Sequence, residues 1–390
     1  MPPPIHEELY IGIMTGTSMD AIDVVIARFT GFPEIMSVYS EPLRPEVRSI
    51  LLDLAVKNEV NMEQLVRMHF VLAKLYANAV HAALKIAKLQ SKDIRAIGLH
   101  GQTIRHLPKS ENVFEAFLAT GATFQLGSGS ALAALTGIDV VSDFRSGDIV
   151  LGGEGAPLVP MFDNAFIRSD ETDRILLNIG GIANLTFLPV EKDENKILAF
   201  DPGPGNMILD ELAQKLFGVA FDENGEIARS GKLDLTLLDK LLSDPYFPKS
   251  PPKSTGRELF GQPYISQIVN RVTDGSLTGR DAMRTALELT ARSIANSIAF
   301  LPIGTNNGIR TELIVSGGGV RNAFLFQRIA ELLPELRVLP ADNLGIPSQA
   351  KEALAFAWFA KAFLLDERIH LPLTTGASRK IILGSLSKGS

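Results

Sequence analysis

Residues 174–188, RILLNIGGIANLTFL, are typical of two β-strands joined by a glycine turn at 180–181. The first half of the chain has the same layout. Residues 9–14 (LYIGIM) precede a small polar turn, 15–20 (TGTSMD), and residues 21–29 (AIDVVIARF) return as a second strand. Further strand and helix units follow in each half. We interpret this as an internal repeat of layout, and it predicts an α/β protein of two similar lobes with a nucleotide cleft between them.

The overall composition excludes several classes of protein. The 390 residues are 46% hydrophobic and 21% charged, which is ordinary for a globular protein, and the net charge of -6 does not favour a nucleic-acid partner. The absence of cysteine excludes disulfides, thiolate metal sites and thiol nucleophiles. The N-terminus lacks the features of a secretory signal, and no uninterrupted apolar run reaches the ~18 residues of a membrane span. We therefore expect a cytoplasmic protein without a membrane partner.

A glycine- and proline-rich segment, GGEGAPLVP at 152–160, is predicted to be the crossing between the lobes. This prediction assigns residues 1–150 to an N-terminal lobe and 151–369 to a C-terminal lobe, with the tail 370–390 packing on the N-terminal lobe. Charged residues are more frequent around the crossing than a plain linker requires; they are Asp143, Arg145, Asp148 and Glu154.

Two glycine-containing turns are candidate phosphate or nucleotide sites. The turn 15–20 offers amides and hydroxyls to a phosphate, although it lacks the Gly-Lys-Ser/Thr ending of a P-loop and an ordinary hairpin turn remains the alternative. Its Asp20, together with Asp23, could hold Mg²⁺ through water, and Asp23 has the more apolar, more structural setting. Gly317–Gly319 follow the strand 311–316 and open a helix, which would let a nucleotide lie against bare backbone.

Asp201 is the strongest candidate for a catalytic acid or base. It follows the apolar run 197–200, which is predicted to be a short buried strand, and two prolines and two glycines at 202–205 restrict the turn behind it. Ligands of α/β proteins bind outside the carboxyl ends of strands, so a carboxylate there is a candidate general base. An equally good interpretation from this segment alone is a helix cap, because a helical pattern starts at Met207.

A polar edge is predicted where the strand 94–99 ends. The following residues, HGQTIRH at 100–106, combine imidazole, amide, hydroxyl and guanidinium groups, which suit a sugar or a phosphate. A histidine with a purely structural role is the alternative for His100.

Eight strings of the chain resemble those of the anhydro-N-acetylmuramic acid kinase family. In order, they are IMTGTSMD (13–20), HGQTI (100–104), GAPLVP (155–160), NIGGIAN (178–184), FDPGPGN (200–206), STGRE (254–258), GGG (317–319) and KEALAFAW (351–358). The resemblance extends from about residue 9 to 386. It implies two ribonuclease-H-like lobes of the actin/hexokinase type, the use of ATP and Mg²⁺, a role in bacterial peptidoglycan recycling, and a homodimer.

The family's reaction opens the 1,6-anhydro ring of the sugar with water at C1 and phosphorylates O6 from ATP, giving N-acetylmuramic acid 6-phosphate. The resemblance assigns Asp201 as the catalytic base and Asp20 as a contact to Mg²⁺ through water. The nucleotide-binding positions it implies are Gly16, Thr17, Ser18, Met19, Asp20, Gly180, Gly181, Gly203, Gly205, Asn206, Gly317, Gly318 and Gly319. The sugar-binding positions are His100, Gln102, Arg145, Asp148 and Glu352.

Three departures from the family pattern bear on sugar specificity. Ala21 stands where the family usually has glycine, Ser128 where it usually has an acid or amide, and the loop 111–121 is longer than usual. A related anhydrosugar kinase, such as one acting on levoglucosan, therefore remains an alternative. Levoglucosan has no lactyl carboxylate, so such a kinase would not need a cation, Arg145 or Arg105, to bind one. A catalytically idle nucleotide-binding regulator of the same fold is the alternative outside enzymes.

Overall fold

The computed structural model describes residues 7–16, 18–107, 121–251, 253–303, 311–347 and 349–389. The chain forms two compact units. The first contains the residues up to Phe166 together with those from Gln349 onward, and the second contains Ile167–Ser348. The predicted loop 111–121 lies almost wholly outside the described residues.

The first unit is built on a mixed sheet. Its described strands are β1 (Leu9–Thr15), β2 (Ala21–Arg28), β3 (Glu34–Pro42), β4 (Ile94–Leu107), β5 (Ala122–Leu126) and β6 (Val140–Ser142), joined by β12 (Ser385–Ser387) from the tail. The order is β12-β6-β4-β1-β2-β3, with β5 paired to β4. β1, β4 and β6 are parallel, and the remaining neighbours are antiparallel. β1 is apolar and almost fully buried, as expected of a central strand, whereas β3 alternates between half-buried and exposed side chains at an edge.

Helices cover this sheet. They are α1 (Pro45–Val56), α2 (Met62–Ala87), α3 (Gly129–Thr136), α4 (Ser146–Val150), α5 (Val159–Phe166), α13 (Lys351–Leu364) and α14 (Pro372–Thr375). Within the described chain, α2 alone is long and apolar enough to cross a membrane by length and composition. Its inner face, including Leu72, Tyr76 and Val80, packs in the core of the unit, as in an amphipathic core helix.

α13 lies unusually close to the sheet because two glycines face it. Gly12 of β1 and Gly98 of β4 are cross-strand neighbours. A Cβ on Gly12 would overlap the carbonyl of Ala353, and one on Gly98 would overlap the carbonyl of Phe356. The paired glycines thus let the helix backbone contact the strand backbones, which explains why ten of the fourteen residues of α13 are buried.

The second unit repeats the plan. Its strands are β7 (Arg174–Ile179), β8 (Ile182–Leu188), β9 (Leu198–Pro204), β10 (Glu312–Ser316) and β11 (Arg337–Pro340), in the order β11-β10-β7-β8-β9. Its helices are α6 (Met207–Phe217), α7 (Glu226–Arg229), α8 (Leu235–Leu242), α9 (Arg257–Phe260), α10 (Gln262–Thr273), α11 (Gly279–Ser297) and α12 (Ala323–Leu332). α11 begins at an N-cap, Thr278, whose hydroxyl accepts from the Asp281 amide, and its buried face anchors the apolar core.

The two sheets share their topology. The order β3-β2-β1-β4-β6 in the first unit corresponds to β9-β8-β7-β10-β11 in the second. In both, the first three strands are antiparallel neighbours and the last three are parallel. The predicted α/β class with two ribonuclease-H-like units is confirmed, and the repeat of layout reflects this duplicated plan.

The division between the units differs from the predicted one at 150/151 and 369/370. The segment after α4 belongs to the first unit because its backbone bonds there: the Gly155 amide donates to Asp148 (2.6 Å) and the Glu154 amide to the Thr375 carbonyl (2.7 Å). Phe162 and Phe166 of α5 also pack against Trp358 of α13. The chain therefore changes unit at 166/167 and 348/349, rather than within the glycine-rich segment.

Candidate active site

Asp201 lies in a bulge of the edge strand β9. Phe200 pairs with Leu185 and Gly203 pairs with Ala183, so Asp201 and Pro202 together oppose a single residue of β8. The strand continues to Pro204, which corrects the prediction that it ends before Asp201. Bulges near active sites change the direction of a side chain. Here the bulge frees the Asp201 amide to bond outside the sheet.

Asp201 forms hydrogen bonds with the loop that follows α8. The Asp201 amide donates to the carbonyl of Lys253 (3.1 Å), and the Thr255 amide donates to Asp201 Oδ2 (3.0 Å). The hydroxyl of Tyr246 donates to the Asp201 carbonyl (2.8 Å). The alternative of a helix cap is excluded, because the N-cap of α6 is Asn206. A half-buried carboxylate held at both its backbone and its side chain is suited to general-base chemistry.

Three predicted nucleotide turns of the second unit meet around Ile179 at the end of β7. The Asn206 side-chain amide donates to the Ile179 carbonyl (3.1 Å), and a Cβ on Gly317 or Gly319 would overlap Ile179. Gly317 also has a φ of 83°, which favours glycine. Gly318 is exposed between them, so bare backbone is open to a ligand there.

The amides of Gly205 and Asn206, two of the predicted nucleotide-binding positions, form hydrogen bonds within the protein. The Gly205 amide donates to Gly181 (2.9 Å) and the Asn206 amide to Gly180 (2.8 Å), so these donors close the turn and are not directed at a phosphate. A Cβ on Gly205 would overlap the Gly180 carbonyl. These glycines therefore bring the β9–α6 turn against the β7–β8 turn.

In the first unit, the turn after β1 is held from both sides. The Met19 amide donates to the Gly16 carbonyl (3.1 Å), with Met19 at a φ of 54° and its side chain buried in the core. Arg48 of α1 donates to the Ser18 carbonyl and pairs with Asp20 (3.1 Å). Met19 is therefore an anchor whose side chain points away from solvent. Thr17 lies outside the described residues.

Asp20 fits an indirect contact to a metal ion. Its carboxylate is mostly exposed and is paired with Arg48. Among the described residues, no group of three or more acidic or histidine side chains could hold a metal ion. This arrangement suits Mg²⁺ held mainly by phosphate and water. Asp23, in contrast, accepts from Ser40 (2.7 Å), and burial raises the pKa of its carboxyl.

Three of the predicted sugar-binding side chains come together in the first unit. Arg145 donates to His100 Nε2 (2.8 Å) and to the Gly155 carbonyl (2.6 Å). Burial and the charge of Arg145 hold the pKa of His100 well below its usual range, so this imidazole is neutral. Burial lowers the pKa of Arg145 to about 10, opposed by the charges of Glu352 and Asp148, so the guanidinium stays charged.

Glu352 completes this cluster at the start of α13. Its side chain is exposed to solvent, yet desolvation raises the pKa of its carboxyl, and the charge of Asp23 adds to this shift. The charges of Lys351 and Arg145 oppose it. A carboxylate that is both accessible and crowded by protein atoms is suited to bind the hydroxyls of a ligand. The charge of Asp23 thus acts on one of the candidate sugar-binding groups.

Gln102 and Arg105 are placed differently from one another. Gln102 is fully buried and donates to the Gly16 carbonyl (3.4 Å), which links it to the turn after β1. Arg105 donates to the carbonyls of Ala55 (2.5 Å) and Lys57 at the end of α1. Arg145, whose buried Nε has no hydrogen-bond partner among the described residues, is the better candidate for a ligand carboxylate.

Asp148 is fully buried and bonded to the protein itself. Its Oδ1 accepts from Thr375 (2.5 Å) and lies 2.5 Å from His370 Nε2, while Oδ2 accepts from the Gly155 amide (2.6 Å). Burial alone would raise the pKa of Asp148, but these hydrogen bonds hold it below its usual range. The residue thus fastens the segment around Gly155, and with it the carbonyl that receives Arg145, to the C-terminal tail.

We expect Asp148→Asn to destabilise the protein by about 1–3 kcal/mol at neutral pH, because buried donors lose their carboxylate. The folded-state pKa is depressed, so this stabilisation is present above the usual carboxyl pKa and is lost as the pH falls below it. Thermal unfolding should therefore show a gap in Tm between the two proteins at pH 7 that persists down to about pH 4 and narrows as the pH falls further.

Asp53→Asn is the matched control, since it removes only the exposed pair with Lys57. An unchanged Tm together with a raised KM for the sugar would instead place Asp148 in direct contact with substrate.

A match to a family model shows to which protein family the chain belongs. The model of anhydro-N-acetylmuramic acid kinase matches residues 8–389, almost the whole chain. The chain belongs to the anhydro-N-acetylmuramic acid kinase family. Members from Shewanella sp. (strain ANA-3) and Shewanella oneidensis are 41% and 42% identical over 382 and 381 residues, which covers 97% of this chain and 98% of each relative.

Among solved structures, the activator of 2-hydroxyisocaproyl-CoA dehydratase from Clostridium difficile, with bound ADPNP, aligns at 13% identity and a TM-score of 0.46. The alignment covers 90% of this chain and 94% of that one.

For this member of the anhydro-N-acetylmuramic acid kinase family, the structure adds residues that the sequence left unassigned. Lys253 and Thr255 hold Asp201, Arg48 holds the turn after β1, and His370 and Thr375 hold Asp148. Each is distant in the chain from its partner. For Lys253 and Thr255, the sequence offered one indication of a role: Thr255 lies in the string STGRE, which resembles the family.

Proposed function

We propose that this protein is an ATP-dependent kinase that opens 1,6-anhydro-N-acetylmuramic acid with water and phosphorylates O6. The products are N-acetylmuramic acid 6-phosphate and ADP, and the reaction serves cytoplasmic recycling of peptidoglycan. The main support within the molecule is Asp201, whose carboxylate is fixed by the Thr255 amide beside turns that leave backbone open to a nucleotide. The Shewanella relatives that align over almost the whole chain are anhydro-N-acetylmuramic acid kinases, which agrees with this proposal.

In the proposed reaction, Asp201 accepts a proton from water as the water oxygen bonds to C1. The C1–O6 bond breaks, and O6 bonds to the γ-phosphorus of ATP as ADP departs. The chain's contribution to this transfer is positioning and charge neutralisation. We assign the phosphates to the turn 16–20 and the nucleoside side to Gly317–Gly319. Mg²⁺, contacted through water by Asp20, would neutralise phosphate charge when bound.

The product formed in ¹⁸O-labelled water tests this function. We expect one ¹⁸O atom at C1 of a phosphorylated sugar, detected by mass spectrometry, and release of ADP that depends on the anhydro-sugar. A phosphorylated sugar without label would exclude hydrolytic ring opening. The absence of sugar-dependent ADP release with any anhydro-sugar would favour the idle nucleotide-binding regulator.

Arg145 tests the choice of sugar. We expect Arg145→Met to raise KM for 1,6-anhydro-N-acetylmuramic acid about tenfold or more, because a charge-assisted bond to the lactyl carboxylate is lost. The effect on levoglucosan, which has no such carboxylate, should be smaller. Steady-state kinetics on both sugars measures the difference.

Arg67→Met on the exposed face of α2 is the control for loss of a surface arginine. Equal kinetics of Arg145→Met and the unmodified protein on both sugars would contradict the assignment.

We further propose a homodimer and a cytoplasmic location, as the family resemblance implies. Sedimentation equilibrium tests the first point, since a particle of one chain mass at micromolar concentration would contradict it.

A further inference from the structure

The short segment 253–255 forms hydrogen bonds with both the backbone amide and the carboxylate of Asp201. Lys253 receives the Asp201 amide on its carbonyl (3.1 Å), and two residues later the Thr255 amide donates to the carboxylate (3.0 Å). The bulge of β9 makes this possible because it removes the Asp201 amide from the ladder with β8. Any movement of residues 253–255 would therefore move the carboxylate.

The Lys253 side chain fastens this segment to the interior. Lys253 is only 6% exposed. Its ammonium lies 4.8 Å from the ring centre of Phe300, 4.9 Å from that of Tyr246 and 5.9 Å from that of Phe200, and it donates to the carbonyl of Phe247 (3.0 Å). Contacts between a cation and aromatic faces are favourable, particularly when desolvated.

Two charged groups act on this ammonium: Asp201 on β9 and Lys249 in the loop that leads to the segment. Burial lowers the pKa of Lys253, the charge of Lys249 lowers it further, and the charge of Asp201 opposes the shift. Lys253 and Asp201 therefore stabilise each other's charged forms. The hydroxyl of Tyr246, whose ring faces the ammonium, also bonds to the Asp201 carbonyl (2.8 Å).

Packing alone does not require a charge at this position. A methionine has a similar length and would fill a pocket of aromatic rings without the cost of removing an ammonium from water. The charge of Asp201 acts on this ammonium, and the segment that carries Lys253 bonds both the backbone and the carboxylate of Asp201. We propose that Lys253 is a positioning residue: it anchors the loop that holds Asp201, and its buried positive charge favours the ionised, proton-accepting carboxylate.

This inference rests on the proposed function, in which Asp201 takes a proton from water. It is tested by the pH dependence of kcat/KM for the anhydro-sugar in Lys253→Met and Lys253→Arg. We expect the acid limb of the profile to move upward by about one pH unit in the neutral variant, and to return near its original position in the arginine variant. Below that limb, kcat/KM of Lys253→Met should fall about tenfold more than it does at high pH.

A purely structural role predicts another result, namely a lower Tm and a lower kcat at every pH with the acid limb unmoved, and this would overturn the proposal. Lys253→Gln, whose amide can still donate to the Phe247 carbonyl, is a second neutral variant should the methionine variant not fold. Lys240→Met, which removes an exposed lysine of α8 in the same unit, should leave the limb unmoved.

Sugar-dependent ADP release separates a failure of the proposed function from a failure of this inference. An unmodified protein without sugar-dependent ADP release would remove the proposed function and this inference with it. An active protein whose acid limb is unmoved in both neutral variants would remove this inference alone.

Discussion

Replacing Asp201 by asparagine is expected to lower kcat by about 10² or more, because a carboxamide cannot take a proton from water. The fold should persist, since the asparagine oxygen can still accept from the Thr255 amide, which bonds Asp201 Oδ2 at 3.0 Å. ATP binding should persist as well, because the glycine turns around Ile179 do not depend on this charge. Sugar-dependent ADP release measures the first effect, and calorimetric titration with a nucleotide measures the second.

Asp239→Asn, an exposed change on α8 in the same unit, is the matched control and should leave kcat unaltered. Near-normal turnover of Asp201→Asn would show that Asp201 is not the general base.

Replacing Gly98 by alanine is expected to destabilise the first unit by about 1–3 kcal/mol, the usual range for overpacking. The added Cβ would overlap the Phe356 carbonyl, a backbone atom that can retreat only if α13 moves away from the sheet. The Tm should fall by several degrees, at about 2–4 °C per kcal/mol for a unit of this size. Because α13 begins with Lys351 and Glu352, its displacement should also raise KM for the sugar.

Gly31→Ala is the control: a Cβ there meets nothing within 4 Å, so the same substitution should leave the Tm unchanged. An unchanged Tm in Gly98→Ala would mean that α13 does not lie against the sheet as described.

Much of the fold could be predicted from local patterns. The apolar runs that became β1, β2, β7 and β8 are each flanked by turn residues, and burial of a strand is encoded within its own few residues. The end of β9 was predicted less well. The strand passes through Asp201 because a bulge and the loop at Lys253 supply its partners, and neither is visible in the run 197–204.

The candidate site was predicted in part. His100, Arg145 and Glu352 do come together, while Asp148, which has the same kind of side chain as Glu352, is buried among protein donors. Composition cannot separate these two carboxylates. The difference arises from His370 and Thr375, which lie more than 200 positions away in the chain.

The sequence by itself determined the duplicated strand plan, the glycine turns and the family to which the chain belongs, because these depend on short-range order and on motifs that are contiguous in the chain. Only the tertiary structure decided the close approach of α13 to Gly12 and Gly98, and the burial of the Lys253 side chain among aromatic rings while its carbonyl receives the Asp201 amide. Both depend on which distant segments come into contact, and contacts of that kind are determined by packing and desolvation rather than by any local pattern.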